Sequence, residues 1–207
     1  METVTAGGLP SVQVFGQPEL EKHLQVGGEH HTHLVSIGNP RALFGPDRPD
    51  TRMPPQFRHH FAAILRLTFF DVEYRRHLPR RVYPKRVPRR SDVRTVLRFF
   101  EETRSHASGY TIHCWQGVSR STAFALGLLY LLEGSEEVAA RILMEHRPQA
   151  GPHRRIVSWF DAELGSHLIE VADTIRAERF ERWKRELDLT DDSLLEELAV
   201  VDDDDVR

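Results

Sequence analysis

The 207-residue chain has one cysteine, Cys114, so no disulfide can form within it. A lone thiol is either a small buried hydrophobe or a group kept for its chemistry. The absence of disulfides fits a reducing cytoplasm. No apolar run reaches the roughly 20 residues that a membrane-spanning helix needs, and the longest, Thr122 to Leu132, suits a buried helix. Met1 to Pro10 has no basic flank followed by an apolar stretch, so no secretory signal is readable and no membrane partner is expected. An internal repeat is also lacking. With 40% apolar and 29% charged residues, the composition excludes wholesale disorder.

A large net charge is missing as well, but the formal total of -3 conceals two opposed blocks. Arg75, Arg76, Arg80, Arg81, Lys85, Arg86, Arg89 and Arg90 follow one another without an acid, and Pro79, Pro84 and Pro88 mark the stretch as a surface loop. The chain ends in Asp191, Asp192, Glu196, Glu197 and Asp202 to Asp205. The expected organisation is a single domain over residues 1–188, with 166–188 a helix docked on it. Residues 189–207 would form an acidic tail whose self-repulsion disfavours compact structure.

Short β-rich runs alternate with helical patterns, which predicts an α/β fold: a mostly parallel central sheet flanked by helices. Strands are expected at Val12 to Phe15, His33 to Ile37, Ala62 to Phe70 and Tyr110 to His113. Helices are expected at Gln17 to Leu24, Ser91 to Ser105 with Ser91 as N-cap, Arg120 to Leu132, Glu136 to His146 and Ser166 to Asp188. The Arg120 helix is apolar on most sides and should be central.

Between the fourth strand and that helix lies His113-Cys114-Trp115-Gln116-Gly117-Val118-Ser119-Arg120-Ser121. A strand–loop–helix junction can turn backbone N–H groups inward around an anion, and the helix terminus favours negative charge there. The same groups stabilise a thiolate at Cys114. Trp115, Gln116, Gly117, Val118 and Ser119 would supply the cradle, and Gly117 can take the positive φ that a tight cradle requires. Arg120 adds a planar fork matched to two phosphoryl oxygens. Ser121 can donate to the sulfur as it leaves, and His113 can orient the loop through its ring nitrogens. Together these groups point to phosphoryl transfer through a sulfur nucleophile.

The pattern His-Cys-X5-Arg-Ser resembles the signature of the cysteine-based protein tyrosine and dual-specificity phosphatases. The wording HCWQGVSRS, with the later Arg147-Pro148, is especially similar to small bacterial proteins regarded as tyrosine phosphatases. The resemblance runs from about His33 to Leu164, strongest at the motif, and implies hydrolysis through a phosphocysteine with neither metal nor cofactor. It also implies an aspartate acid on a loop after an earlier strand, a place that Asp71 fits, with Glu73, Asp47 and Asp50 as rivals. A phosphorylated protein or peptide is the implied substrate, phosphotyrosine first. The uncharged Trp115 and Gln116 speak against inositol lipids. The basic stretch leaves open a phosphatase of RNA 5′ ends or other polyanions, and a non-catalytic phosphate-binding module is the third possibility. His30, His31 and His33 lack the paired Cys or carboxylate spacing of a metal site and read as a solvated loop.

Overall fold

A computed structural model of the chain describes residues 10–27, 33–40, 55–73 and 87–186. Four strands form one sheet: β1 (Ser11–Gly16), β2 (His33–Gly38), β3 (Ile64–Thr68) and β4 (Gly109–Cys114), in the order β1-β4-β2-β3. Each neighbouring pair is parallel. All four strands therefore end on the same edge, where Asn39 after β2, Phe69 and Asp71 after β3 and the loop after β4 come together.

Side-chain alternation sorts the strand residues between two faces. Val12, Val14, Val35, Ile37, Leu67, Tyr110, Ile112 and Cys114 point into the larger core, and Leu34 points into a smaller one. The smaller face is covered by α1 (Gln17–Gln25) and the 3-10 helix Pro55–His60, through Leu20, Leu24 and Phe57, with Phe61 just after that helix. The larger face is covered by α2 (Arg90–Thr103) and α3 (Arg120–Glu133), and α4 (Glu136–His146), α5 (Arg154–Leu164) and α6 (Leu168–Glu186) pack around α3. α3 runs through the middle of that layer. Residues 120–129 of α3 are all buried, as its all-round apolar sequence requires.

The boundaries that differ from the sequence expectation have local causes. α2 begins at Arg90, not after an N-cap at Ser91, because the Asp92 carboxylate takes the Arg89 N–H at 2.7 Å and starts the helix earlier. The last part of the basic stretch is thus helical, and Arg90 pairs with Glu163. β3 is shorter than the expected Ala62 to Phe70 strand, because its pairing with β2 ends where Gly38 meets Thr68. α5 was not expected at all, although Ile156, Val157 and Phe160 are buried at helical spacing. α6 begins at Leu168, not Ser166, because Asp161 of α5 accepts the N–H groups of Leu168 at 2.7 Å and Ile169 at 3.0 Å. His33 is not on a solvated loop: it starts β2 and is buried beside Phe99, His106 and Tyr110. The basic residues Arg75 to Arg86, the acidic tail, His30, His31, Asp47 and Asp50 lie outside the described residues. Among the described residues no helix is long and apolar enough to cross a membrane.

Candidate functional site

β4 ends at Cys114 and α3 starts at Arg120, so residues 115–119 must turn within one short loop. The orientation of that loop follows from where its carbonyls go. The Trp115 carbonyl accepts from Gln17 N–H at 3.0 Å, and the Val118 carbonyl from Gly151 N–H at 2.9 Å. Arg147 donates through Nη2 to the Gln116 carbonyl at 3.3 Å and through Nε to the Gly117 carbonyl at 2.9 Å. The Ser119 carbonyl accepts from Ala123 N–H at 3.1 Å and Thr122 Oγ1 at 2.9 Å. In a trans peptide the N–H points opposite to the C=O. Five carbonyls held outward therefore turn the N–H groups of residues 116–120 toward the inside. One of them, Gly117 N–H, donates to Cys114 Sγ at 3.3 Å.

Cys114 is 1% exposed, with Sγ 3.2 Å from Ser121 Oγ. Among the described residues no side chain caps α3 at Ser119. Gly117 has φ 71°, and a Cβ there would come within 2.4 Å of Gly16 N and of Arg147 Nη2. Gly117→Ala is expected to lower stability by more than about 2 kcal/mol, from the left-handed backbone and the backbone clash together. Denaturant midpoints check this, and an unchanged midpoint would show that the loop has room to relax.

Arg120 is almost wholly buried, and its fork is already oriented. Nη1 donates to Asn39 Oδ1 at 2.6 Å and to the Phe69 carbonyl at 2.9 Å. Nε has no hydrogen-bond partner among the described residues. Asp71 Oδ2 lies 3.4 Å from it as an ion pair, out of line for a hydrogen bond. A buried guanidinium N–H without an acceptor is costly, and an entering anionic oxygen would satisfy it.

Asp71 sits just past the buried pair Phe69 and Phe70, and Ser119 Oγ donates to its Oδ1 at 2.8 Å. The rival Glu73 turns away: it pairs with Arg176 of α6 and accepts Arg154 N–H at 3.2 Å. His113 is on β4 with Nε2 2.8 Å from Ser36 Oγ of β2, so it ties the strands together beneath the loop. Trp115 is 37% exposed at the rim, and Gln116 is exposed beside it.

Burial lowers the His113 pKa from 6.5 to about 4; a backbone bond at Cys114 opposes this and Arg120 adds to it. The folded state thus prefers the neutral ring. Its contribution is complete above about pH 6.5 and is lost as the pH falls through the folded value near 4. The difference corresponds to an order of 3 kcal/mol. Urea midpoints are therefore expected to fall between pH 6.5 and 4, and His113→Asn should flatten that slope.

Two residues that the sequence reading gave no role are central here. Asn39 holds the fork of Arg120, and Arg147 braces the loop. Arg147 also reaches Glu19 at the start of α1, with Nη1 2.7 Å from Oε2. A run of strand residues ending in Gly38-Asn39 carries no mark of this contact. Arg147 stood out only as part of the resemblance. Arg147→Met is expected to cost about 2 to 3 kcal/mol, chiefly because it strips donors from two loop carbonyls; Glu19 loses its ion pair but keeps the Gly16 N–H. Its loss of phosphate affinity should exceed that of an exposed-arginine control such as Arg98→Met.

No protein-family model and no curated protein matches the chain. Solved structures do. The crystal structure of DUSP15 superposes with a TM-score of 0.51 at 18% identity, covering 84% of this chain and 93% of that one. Human DUSP28 gives 0.49 at 17%, over 82% and 96%, and Tk-PTP in its active form 0.45 at 17%, over 79% and 92%. The likeness to DUSP15 establishes the fold: an α/β domain of the kind found in that protein.

Proposed function

We propose that the chain is a cysteine-dependent phosphomonoester hydrolase, acting on phosphotyrosine, or on phosphoserine and phosphothreonine as well, in proteins or peptides. The observation that carries this reading is the convergence of Cys114 Sγ, the inward N–H groups of the loop, the unmatched Arg120 Nε and the Asp71 carboxylate at one end of the sheet. The fold shared with DUSP15 supports it.

In this mechanism the phosphoryl oxygens enter the ring of loop N–H groups and take Arg120 Nε. The Cys114 thiolate attacks phosphorus, the phosphorus–oxygen bond to the leaving group breaks, and Asp71 gives that oxygen a proton. The Asp71 carboxylate then takes a proton from water as the water attacks the phosphocysteine. The sulfur–phosphorus bond breaks, and Ser121 donates a hydrogen bond to the released sulfur. Arg120 and the inward N–H groups of the loop stabilise the phosphoryl oxygens, and the reading calls for no metal or cofactor. We further propose a cytoplasmic location and a catalytic unit spanning residues 1–188.

A panel of phosphotyrosine peptide, 5′-triphosphorylated RNA and aryl phosphate tests the reading. The peptide and aryl phosphate should be hydrolysed and the RNA should not. Turnover of the RNA alone would transfer the assignment to polyanion ends, and turnover of none would leave a binding module. Asp71→Asn is expected to erase the basic limb of the pH–rate profile and to slow poor leaving groups more than good ones. An unchanged profile would remove Asp71 from the mechanism.

A further inference from the structure

His153 is a fully buried imidazole that the proposed chemistry does not use. Its backbone is committed. The N–H donates to the Ser119 carbonyl at 3.3 Å, and the carbonyl accepts from Ile156 and Val157 N–H at 3.0 and 3.1 Å as α5 begins. Its ring is not committed. Neither Nδ1 nor Nε2 has a hydrogen-bond partner among the described residues, and Nε2 stands 3.9 Å from Asp71 Oδ1. Folded proteins seldom keep an unmatched polar ring in the interior, so its place beside this carboxylate calls for a reason.

The ring is flanked from three elements. Asp71 and Glu73 reach it from the segment after β3, and Arg120 from the start of α3, while Arg176 of α6 occupies Glu73. Burial holds its pKa below the ordinary value of 6.5. Asp71, Glu73 and the Val72 carbonyl pull upward, the last from outside hydrogen-bonding geometry, and Arg120 pushes down. Near neutral pH the ring is therefore uncharged, with one N–H to donate.

We propose that His153 is the positioning residue of Asp71: its Nε2–H donates to Asp71 Oδ1 once a phosphoryl group has drawn Arg120 Nε away from Oδ2. This rests on the reading of Asp71 as the proton donor of a phosphomonoesterase. Ser119 Oγ already donates to Oδ1 at 2.8 Å, and His153 needs a shift of about 1 Å to reach hydrogen-bonding range. Two donors on Oδ1 fix the carboxyl plane and leave Oδ2 to pass the proton. Asp71 thereby exchanges a cationic neighbour for a neutral one. A neutral donor supports the carboxylate formed after proton transfer through a hydrogen bond alone.

Two measurements on the full chain test this, one of them without turnover. The first is ¹⁵N NMR of labelled histidine with saturating inorganic phosphate, the His153 signal being assigned by its loss in His153→Gln. His153 Nε2 should carry the proton, and its shift should move with phosphate in the wild type but not in Asp71→Ala. A bare Nε2, or the same shift in Asp71→Ala, overturns the proposal. The second compares His153→Phe with His153→Gln, whose amide N–H falls near the position of Nε2. In the Phe variant kcat for a poor leaving group should fall about tenfold with little change in KM. Its basic limb should move up by about half a unit or more, since the product carboxylate has lost a donor. The Gln variant should restore both. A residue that served packing alone would lower stability without moving the limb, and that result also overturns the proposal. If the wild type hydrolyses no phosphomonoester, the phosphatase reading falls while the NMR experiment still decides whether His153 holds Asp71. If turnover depends on Cys114 but neither the limb nor the NMR shift responds to position 153, only the His153 proposal falls.

Discussion

Cys114→Ser is expected to lower kcat for an aryl phosphate by about 10⁴-fold or more while leaving the affinity for a phosphate analogue within a few fold. That loss corresponds to about 5.5 kcal/mol of barrier. The substitution keeps a small polar atom under the loop, where Gly117 N–H and Ser121 Oγ now meet the sulfur. Neither donor can make a serine hydroxyl ionise near neutral pH as a thiol does, so the nucleophile is lost and the cradle survives. The binding half of the experiment matters as much as the rate. The braces on Trp115, Gln116, Gly117 and Val118 come from Gln17, Arg147 and Gly151, none of which touches the sulfur. Activity near wild type would remove Cys114 from the chemistry, and loss of analogue binding would mean that the sulfur organises the loop.

For Arg120→Lys, kcat/KM should fall by roughly 10² to 10³, the range seen when one preorganised donor to a developing oxyanion is removed. The charge is kept, so a small effect would be expected if Arg120 acted only through its field. The geometry argues otherwise. One edge of the guanidinium is fixed by Asn39 Oδ1 and the Phe69 carbonyl, and this aims the unmatched Nε at the site. An ammonium carries its three donors on one nitrogen, so it cannot sit where Nη1 meets both anchors and also supply the separate N–H that Nε presents to the phosphoryl group. A fall of less than tenfold, about 1.4 kcal/mol, would show that Arg120 is not the clamp.

Much of the site is legible in the sequence because it is local. Cys114, Gly117, Arg120 and Ser121 lie within eight consecutive positions, and their roles depend on a strand end, a turn and a helix start that the flanking residues announce. The parallel sheet was readable for the same reason, since β-rich runs separated by long crossovers leave few other topologies. α5 carried a readable signal in Ile156, Val157 and Phe160 that the turn-rich surroundings of Gly151 and Pro152 obscured.

The supports of the site are a different matter. Arg147 meets Glu19 from 128 positions away, Asn39 meets Arg120 from 81, and Ser119 meets Asp71 from 48. No spacing rule reaches across such distances, because these contacts exist only where parallel strands end on one edge and bring their loops together. The sequence put Asp71 ahead of Glu73 only through the resemblance; in the tertiary structure α6 supplies Arg176 to Glu73, whereas Ser119 of the loop donates to Asp71. By itself the sequence determined the α/β class, the loop between β4 and α3 and the candidate nucleophile, since short-range periodicity and one contiguous motif encode them. Only the tertiary structure decided which residues brace the loop, which carboxylate faces it and where the His153 ring lies, because each depends on packing between elements distant along the chain.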